Sequence, residues 1–306
     1  MRCTSPKTVG FCPDGKTLSW SPKSYSKEFA TFQLPCGKCI SCRLESARQT
    51  AIRCVHEASM YPKNCFITLT YDNENILNSR LNYRDFQLFV KRLREDIRNS
   101  ALSESEKKIG VFVAGEYGDK TKRPHWHAII FNWEPSDKKP KYKNDRGDQV
   151  YSSELLTNLW GKGITELGSV TFESAGYCAR YAAKKLTHGK DGEHDFNPIS
   201  KRSSKHAIGK KWIEKYWKDV FSHGYIVLRN GKTCGIPRYY EKWFQKHMPD
   251  HWAYYVTEVK SKNISKAIEQ EKRNQEFYQF TGEKQKTDAK IIKQKFEEIL
   301  QKNLKL

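Results

Sequence analysis

Two periods of apolar and polar positions alternate along the chain. Leu44, Ala47, Arg48, Ala51, Ile52, Val55, Ala58 and Ser59 recur at three and four residues, which predicts an amphipathic helix ending before Pro62. Residues 65–71 are β-branched and aromatic and read as a strand. The helical period returns over 82–99. There Asn82 is placed to cap, Phe86, Phe89, Val90 and Leu93 make the stripe, and Lys91, Arg92 and Arg94 lie off it. Two strands follow, over 109–117 and 125–133, joined by a turn that ends in Pro124, where a missing N–H does least harm. A short helix over 153–160, a fourth strand over 163–172 and a helix over 174–186 with Ser174 as N-cap complete the middle of the chain.

That order gives an α+β class: a core of mostly antiparallel sheet flanked by helices, without the βαβ series of a doubly wound or barrel fold. Residues 1–35 are rich in Pro, Ser, Gly and Lys and predict irregular or short-stranded chain. Residues 134–149 read as an exposed insertion, and 187–211 as a basic linker. Residues 212–250 set Trp212, Trp217, Tyr225, Tyr239, Tyr240 and Trp243 among cations, suited to stacking on unpaired bases or to a core. Beyond Val256 the chain is charged and helical in pattern, with a thin stripe of Ile292, Phe296 and Ile299. The domains expected are therefore a Cys-rich segment over 1–43, a core over 44–190, a basic aromatic-rich extension over 191–250 and a charged helical tail over 251–306.

Charge sharpens this picture. The chain has 306 residues, 55 of them Lys or Arg against 35 Asp or Glu, a formal net charge of +20. A field of that size makes a polyanion the expected partner. With 16 Tyr, 15 Phe and 8 Trp the chain is too aromatic to be wholly disordered. No apolar h-region follows the first residues, and no apolar run approaches the roughly 18–20 residues that cross a bilayer. The nine cysteines are an odd number and, without a secretory signal, fit a reducing compartment. The expectation is a soluble cytoplasmic protein with no membrane partner and no small-molecule substrate.

The sharpest candidate chemistry is Arg123-Pro124-His125-Trp126-His127-Ala128-Ile129-Ile130-Phe131. On a strand, side chains alternate faces, so His125 and His127 point together while Trp126, Ala128 and Ile130 face the other way. Glu116 lies nine residues before His125, at the end of the preceding strand, and a hairpin brings it beside the pair. Two imidazoles and a carboxylate suit Mn²⁺ or Mg²⁺ in phosphate chemistry, with water or substrate oxygens in the open positions. By itself a His-x-His pair is also an ordinary strand feature, and Glu116 an ordinary turn carboxylate answering Lys120, Lys122 or Arg123.

The second element is Tyr177-Cys178-Ala179-Arg180-Tyr181-Ala182-Ala183-Lys184-Lys185. On a helix, Tyr177, Tyr181 and Lys184 share a face, flanked by Arg180 and Lys185. Amphipathic aromatics beside solvated cations are the plain account. The chemical one is a nucleophile: a phenol titrates near 10 and needs a cation close by to act as phenolate. Attack on DNA phosphorus gives a 5′-phosphotyrosine and frees a 3′-hydroxyl able to prime a polymerase.

In this order Phe66-Ile67-Thr68-Leu69-Thr70, Glu116…His125-Trp126-His127 and Tyr177-x-x-x-Tyr181-x-x-Lys184 resemble the three motifs of HUH replication-initiator endonucleases, the Rep proteins of rolling-circle replication. The two-tyrosine form is similar to the initiators of gokushovirus-type microviruses, as is Pro35-Cys36-Gly37-Lys38-Cys39-x-x-Cys42-Arg43 with its following helix. The resemblance covers residues 35–186 and Cys3-x-x-Pro6. It implies an antiparallel nuclease core with the His pair on a central strand, and metal ligands Glu116, His125 and His127. It also implies that Tyr177 and Tyr181 act in turn, one opening the origin and the other cutting the regenerated origin so that the circle closes. Lys184 joins them in the catalytic set, and Arg123, Arg180 and Lys185 are candidate contacts to DNA phosphates.

Cys36-x-x-Cys39-x-x-Cys42 spaces three thiols for one structural zinc, with Gly37 easing the turn. Cys3 is the expected fourth ligand, with Cys12 and His56 in reserve, and reduced cysteines without metal are the alternative. Cys54, Cys65, Cys178 and Cys234 read as core. The chain contains no Gly-x-x-x-x-Gly-Lys-[Ser/Thr], so unwinding and synthesis fall to a host helicase and DNA polymerase. Single-stranded and origin DNA is the expected substrate. The other readings are a plasmid-mobilisation relaxase of the same chemistry and a zinc-stabilised nucleic-acid binder that does not cut.

Overall fold

The computed structural model describes residues 3, 5–76, 80–118, 123–184, 199–203, 207–228 and 231–282; the side chains of residues 40 and 180–184 fall outside that description. In chain order the elements are β1 (Lys7–Phe11), β2 (Leu18–Ser19), β3 (Phe32–Leu34), α1 (Ile40–Ala58), β4 (Asn64–Tyr71), α2 (Tyr83–Asn99), β5 (Gly110–Tyr117) and β6 (Pro124–Phe131). Then come β7 (Lys139–Lys143), β8 (Gln149–Ser152), α3 (Glu154–Trp160), β9 (Gly163–Gly168), α4 (Phe172–Lys184) and β10 (Ile199–Arg202). The last are α5 (Lys210–His223), β11 (Ile226–Val227), β12 (Thr233–Cys234), α6 (Arg238–His247), α7 (Pro249–Tyr254) and α8 (Ser261–Thr281). The chain divides into two units, residues 1–46 with 272–306, and residues 47–271.

In the first unit, β1 pairs antiparallel with β2 and with β3. In the second, an antiparallel seven-stranded sheet runs β10-β5-β6-β4-β9-β8-β7, which places β6 in its interior. Local chemistry sets the flanking helices as the sequence predicts. The Asn82 side chain accepts from the Arg84 amide (3.0 Å) at the start of α2, and Ser153 Oγ accepts from Leu156 (3.0 Å) at the start of α3.

Alternation divides the sheet into two faces. On one, Ile67, Leu69, Val111, Val113, Trp126, Ala128 and Ile130 meet the buried stripe of α2 (Phe86, Phe89, Val90, Leu93, Ile97) and Trp160 of α3. Gly115 sits opposite Trp126 on this face, and a Cβ there lies 2.5 Å from Trp126 Cζ3, so the indole occupies the space of the missing side chain. On the other face, Phe112, Ile129 and Phe131 pack against Ala47, Ala51 and Cys54 of α1 and Ala175, Cys178 and Ala179 of α4. Small residues on both helices let them lie close over the strands. A third cluster joins Ile52 to Ile213, Phe221, Tyr240, Trp243, Phe244 and Tyr255.

Several boundaries differ from the sequence reading. Residues 134–149 are exposed but hold β7 and the start of β8, a hairpin at the sheet edge. All five residues of β7 are exposed, so no apolar alternation marks it. Residues 199–202, read as linker, form the polar edge strand β10 on β5, and α5 begins at Lys210; residues 187–198 lie outside the described part. Thr171, not Ser174, heads α4: Ser174 N–H donates to Thr171 Oγ1 (3.1 Å) and Thr171 N–H to Ser174 Oγ (2.8 Å), a reciprocal cap. Of the aromatics over 212–243, Tyr240 and Trp243 are buried, while Trp212, Trp217 and Tyr239 pack on the same core and Tyr225 is exposed. Cys54, Cys65 and Cys178 are buried as expected, and Cys234 packs on the third cluster. The stripe of Ile292, Phe296 and Ile299 lies outside the described residues. Among those described, no helix is long and apolar enough to cross a membrane.

Candidate active site

The β5–β6 register sets Glu116 directly opposite His125 and Ala114 opposite His127. A single oxygen, Glu116 Oε1, stands 2.9 Å from His125 Nε2 and 3.0 Å from His127 Nε2. The outer nitrogens are also held. His125 Nδ1 donates to the Arg123 carbonyl (3.0 Å), which fixes that proton on Nδ1 because a carbonyl only accepts. His127 Nδ1 meets Thr68 Oγ1 at 3.0 Å, across the β4–β6 pair in which Thr68 faces His127. Phe66 stacks on the His127 ring (5.6 Å between centroids, 11° between planes) and limits its tilt. The carboxylate and the two imidazoles present ligand atoms within 4.8 Å of one another.

Glu116 and His127 are buried. Burial pushes the Glu116 carboxyl up, but the hydrogen bonds from His125 and His127 outweigh it and hold the group below its ordinary range. A buried carboxylate kept ionised beside two imidazoles is a donor set that fits Mn²⁺ or Mg²⁺, with the far nitrogens anchored as ligating histidines require.

From α4, Tyr177 Oη donates to the same Glu116 oxygen at 3.3 Å, and its ring stands edge-on to His127 (5.0 Å, 82°). Its neighbour Cys178 is fully buried, and burial pushes that thiol well above its ordinary range, so it stays a protonated core group. The structure thus brings together Glu116, His125, His127 and Tyr177. Tyr181 and Lys184 belong to α4, but their side chains and that of Arg180 are outside the described residues, as is Lys185 altogether. Arg123 is already engaged: Nη1 donates to the Tyr71 carbonyl (2.7 Å) and Nη2 to Asn73 Oδ1 (2.5 Å). The sequence reading missed Thr68 as a holder of His127. Its signal was the period of two, which puts Thr68 on the face of the histidines once β4 is known to pair with β6.

In the first unit, Cys3, Cys36, Cys39 and Cys42 also present ligand atoms within 4.8 Å of one another. Zn–S bonds of about 2.3 Å in a tetrahedron imply S···S edges of about 3.8 Å, and Cys3 Sγ lies 3.7 Å from Cys39 Sγ. Gly37 turns the chain at φ +71°, and the Cys39 amide donates to Cys36 Sγ (3.3 Å). That bond and one from the Lys38 amide pull the Cys36 thiol down, whereas burial pushes Cys42 up to about 12. Among the described residues, Cys12 is not part of this group. His56 is occupied elsewhere, with Nδ1 3.0 Å from Tyr240 Oη and its ring stacked on Trp212 at 3.5 Å.

Comparison with known proteins bears on these two sites together. Residues 64–186 match a family model described as replication-associated protein of the ORF2 type, a span that runs from the first residue of β4 past the end of α4. The chain is 48% identical to "Replication-associated protein VP4" of Bdellovibrio phage phiMH2K over 317 aligned positions, all of both proteins. It is 33% identical to "Replication-associated protein ORF4" of Chlamydia phage 1, over 72% of this chain and 55% of that one. Likeness to "Replication-associated protein ORF2" of Spiroplasma virus 4 is 27%, over 85% of this chain and 83% of that one. No solved structure matches the chain. The chain belongs to the replication-associated proteins of microviruses, the rolling-circle replication initiators of that group.

Proposed function

We propose that the protein starts replication by cutting one DNA strand at the origin through a tyrosine ester and later rejoins it. The observation that carries this reading is Tyr177 Oη at 3.3 Å from Glu116 Oε1, the oxygen that also meets both histidines. A nucleophile-bearing phenol and a metal-type ligand set around one atom match phosphoryl transfer, and a structural His pair needs no such phenol.

Glu116, His125 and His127 would hold the divalent cation, Mn²⁺ or Mg²⁺, whose chemistry here is to polarise the scissile phosphate and stabilise its developing charge. Tyr177 Oη attacks phosphorus; the Oη–P bond forms as the P–O3′ bond breaks. The phenolic proton leaves toward the carboxylate it already hydrogen-bonds, and the departing 3′-oxygen takes up a proton to become the primer hydroxyl. One phosphodiester is exchanged for another, so the step runs backwards when a new 3′-hydroxyl arrives, and rejoining needs no nucleotide cofactor. Tyr181 is assigned the second, alternating nucleophile and Lys184 a charge on the phosphate, both from their place in the α4 motif. Arg180 and Lys185 are assigned to phosphates on the same ground, and Arg123 through the donors its two partners leave. Zn²⁺ on Cys3, Cys36, Cys39 and Cys42 would tie the β1–β3 sheet to the first turn of α1. A host helicase and polymerase supply unwinding and synthesis in the host cytoplasm.

The test is incubation of the full chain with Mn²⁺ and labelled single-stranded oligonucleotides tiling the viral genome, followed by denaturing electrophoresis. A protein-linked band is expected with one or a few oligonucleotides, and Tyr177→Phe with Tyr181→Phe abolishes it. Oligonucleotides shifted on a native gel but never cut would identify a binder without the chemistry.

A further inference from the structure

The sheet face turned away from Glu116, His125 and His127 carries a cleft of about 1040 Å³ beside α2, with β5 and β10 forming its other side. Its floor is apolar, built by Phe86 and Val90 of α2 and Val111 and Val113 of β5. Its rim is cationic: Arg94 and Arg98, one helical turn apart on α2, Lys107 and Lys108 before β5, and Lys201 on β10. Glu104 is the acidic residue of the lining, and Lys107 already holds it at 3.4 Å. No described carboxylate pairs with Arg94, Arg98, Lys108 or Lys201. Four cations left without counter-charges around one concavity repel one another, a cost that an anionic ligand removes.

We infer that this cleft holds a segment of single-stranded DNA other than the one at Tyr177. The inference rests on the DNA reading proposed above and extends it to a second place on the molecule. The two guanidiniums on successive turns of α2 suit a row of phosphates, which Arg binds through paired N–H groups. The apolar floor suits base faces, and Tyr83 and Phe86, near-parallel at 15° and 6.4 Å apart, stand where a base edge enters. A duplex keeps its bases stacked inside and leaves such a floor wet; an acidic peptide matches the rim but gives the floor nothing flat to cover it. Because the cleft and Tyr177 lie on opposite faces of one sheet, the strand held here is not the bond being cut.

Fluorescence anisotropy of the full chain with a labelled twenty-residue oligo-dT, in EDTA, tests this, using Arg94→Gln combined with Arg98→Gln and, on the opposite wall, Lys201→Gln alone. The double variant is expected to bind about tenfold more weakly at 0.1 M salt. Its log–log salt dependence should be shallower by about 1.4, since each single-strand phosphate contact contributes about 0.7. Lys201→Gln moves both quantities the same way by a smaller step, which guards against a double variant that misfolds. Adduct formation on the tiled oligonucleotides should persist in all of them. Unchanged affinity in both variants overturns the inference, as does an equal loss for duplex of the same length, or poly-glutamate displacing oligo-dT at matched charge. If the wild-type protein forms adducts while the variants bind normally, only the cleft is wrong. If wild type forms no adduct but the variants lose strand binding, the cutting reading fails and the cleft stands.

Discussion

Glu116 Oε1 is the residue-scale centre of the site, meeting His125, His127 and Tyr177 within 3.3 Å. The His-x-His spacing and strand alternation made the two imidazoles legible in advance, and the hairpin that links β5 to β6 made Glu116 legible. Thr68 was not, because a threonine on a strand is ordinary until the register sets it against His127. Its hydroxyl fixes the ring that is to ligate the metal, so Thr68→Val should raise the Mn²⁺ concentration for half-maximal adduct formation about 10- to 100-fold. Thr68→Ser, which keeps the hydroxyl, should stay near wild type. A titration of adduct yield against Mn²⁺ reads both, and equal curves for the two variants contradict the assigned role. Gly115 was silent in the sequence as well, since only the structure places Trp126 over it. Gly115→Ala should cost about 1–3 kcal/mol in denaturant unfolding by displacing that indole.

Among the elements, the apolar helices and the interior strands were legible and the polar edges were not. The stripe of α2 falls where the period put it, as do β4, β5 and β6. β7 and β10 carry almost no apolar residues, and backbone pairing with a neighbour, which leaves no mark on composition, is what makes them strands. Helix packing also creates a pH-sensitive joint. His56 on α1 is buried between Trp212 and Tyr240, and burial pushes its imidazole down to about 3. The unfolded chain binds a proton below about 6.5 that the folded chain refuses, so this contribution is complete above pH 6.5 and is lost as pH falls toward 3. Wild type should lose stability through this group at up to about 1.4 kcal/mol per pH unit in that window. His56→Gln should flatten that part of the curve in denaturant melts at pH 7, 6, 5 and 4; parallel curves contradict it. For the cysteine cluster, metal analysis should find about one Zn²⁺ per chain, and Cys36→Ser should abolish it.

At the scale of the whole molecule, the α+β class and antiparallel sheet were legible from element order, and the +20 charge pointed to a polyanion before any motif was read. The cleft on the far face was not legible, because Arg94, Arg98 and Lys201 come from elements that only the fold places side by side. Binding driven by so large a charge should weaken at least tenfold between 50 and 200 mM salt, measured with a labelled single strand in EDTA, and a flat response contradicts a phosphate-based affinity. The central claim is that a tyrosine of α4 becomes the covalent link to DNA. The most direct measurement is proteolysis of the adduct, digestion of its DNA to a short stub and mass spectrometry of the modified peptide. The account predicts a nucleotide phosphate on Tyr177 or Tyr181; a stub on any other residue contradicts it.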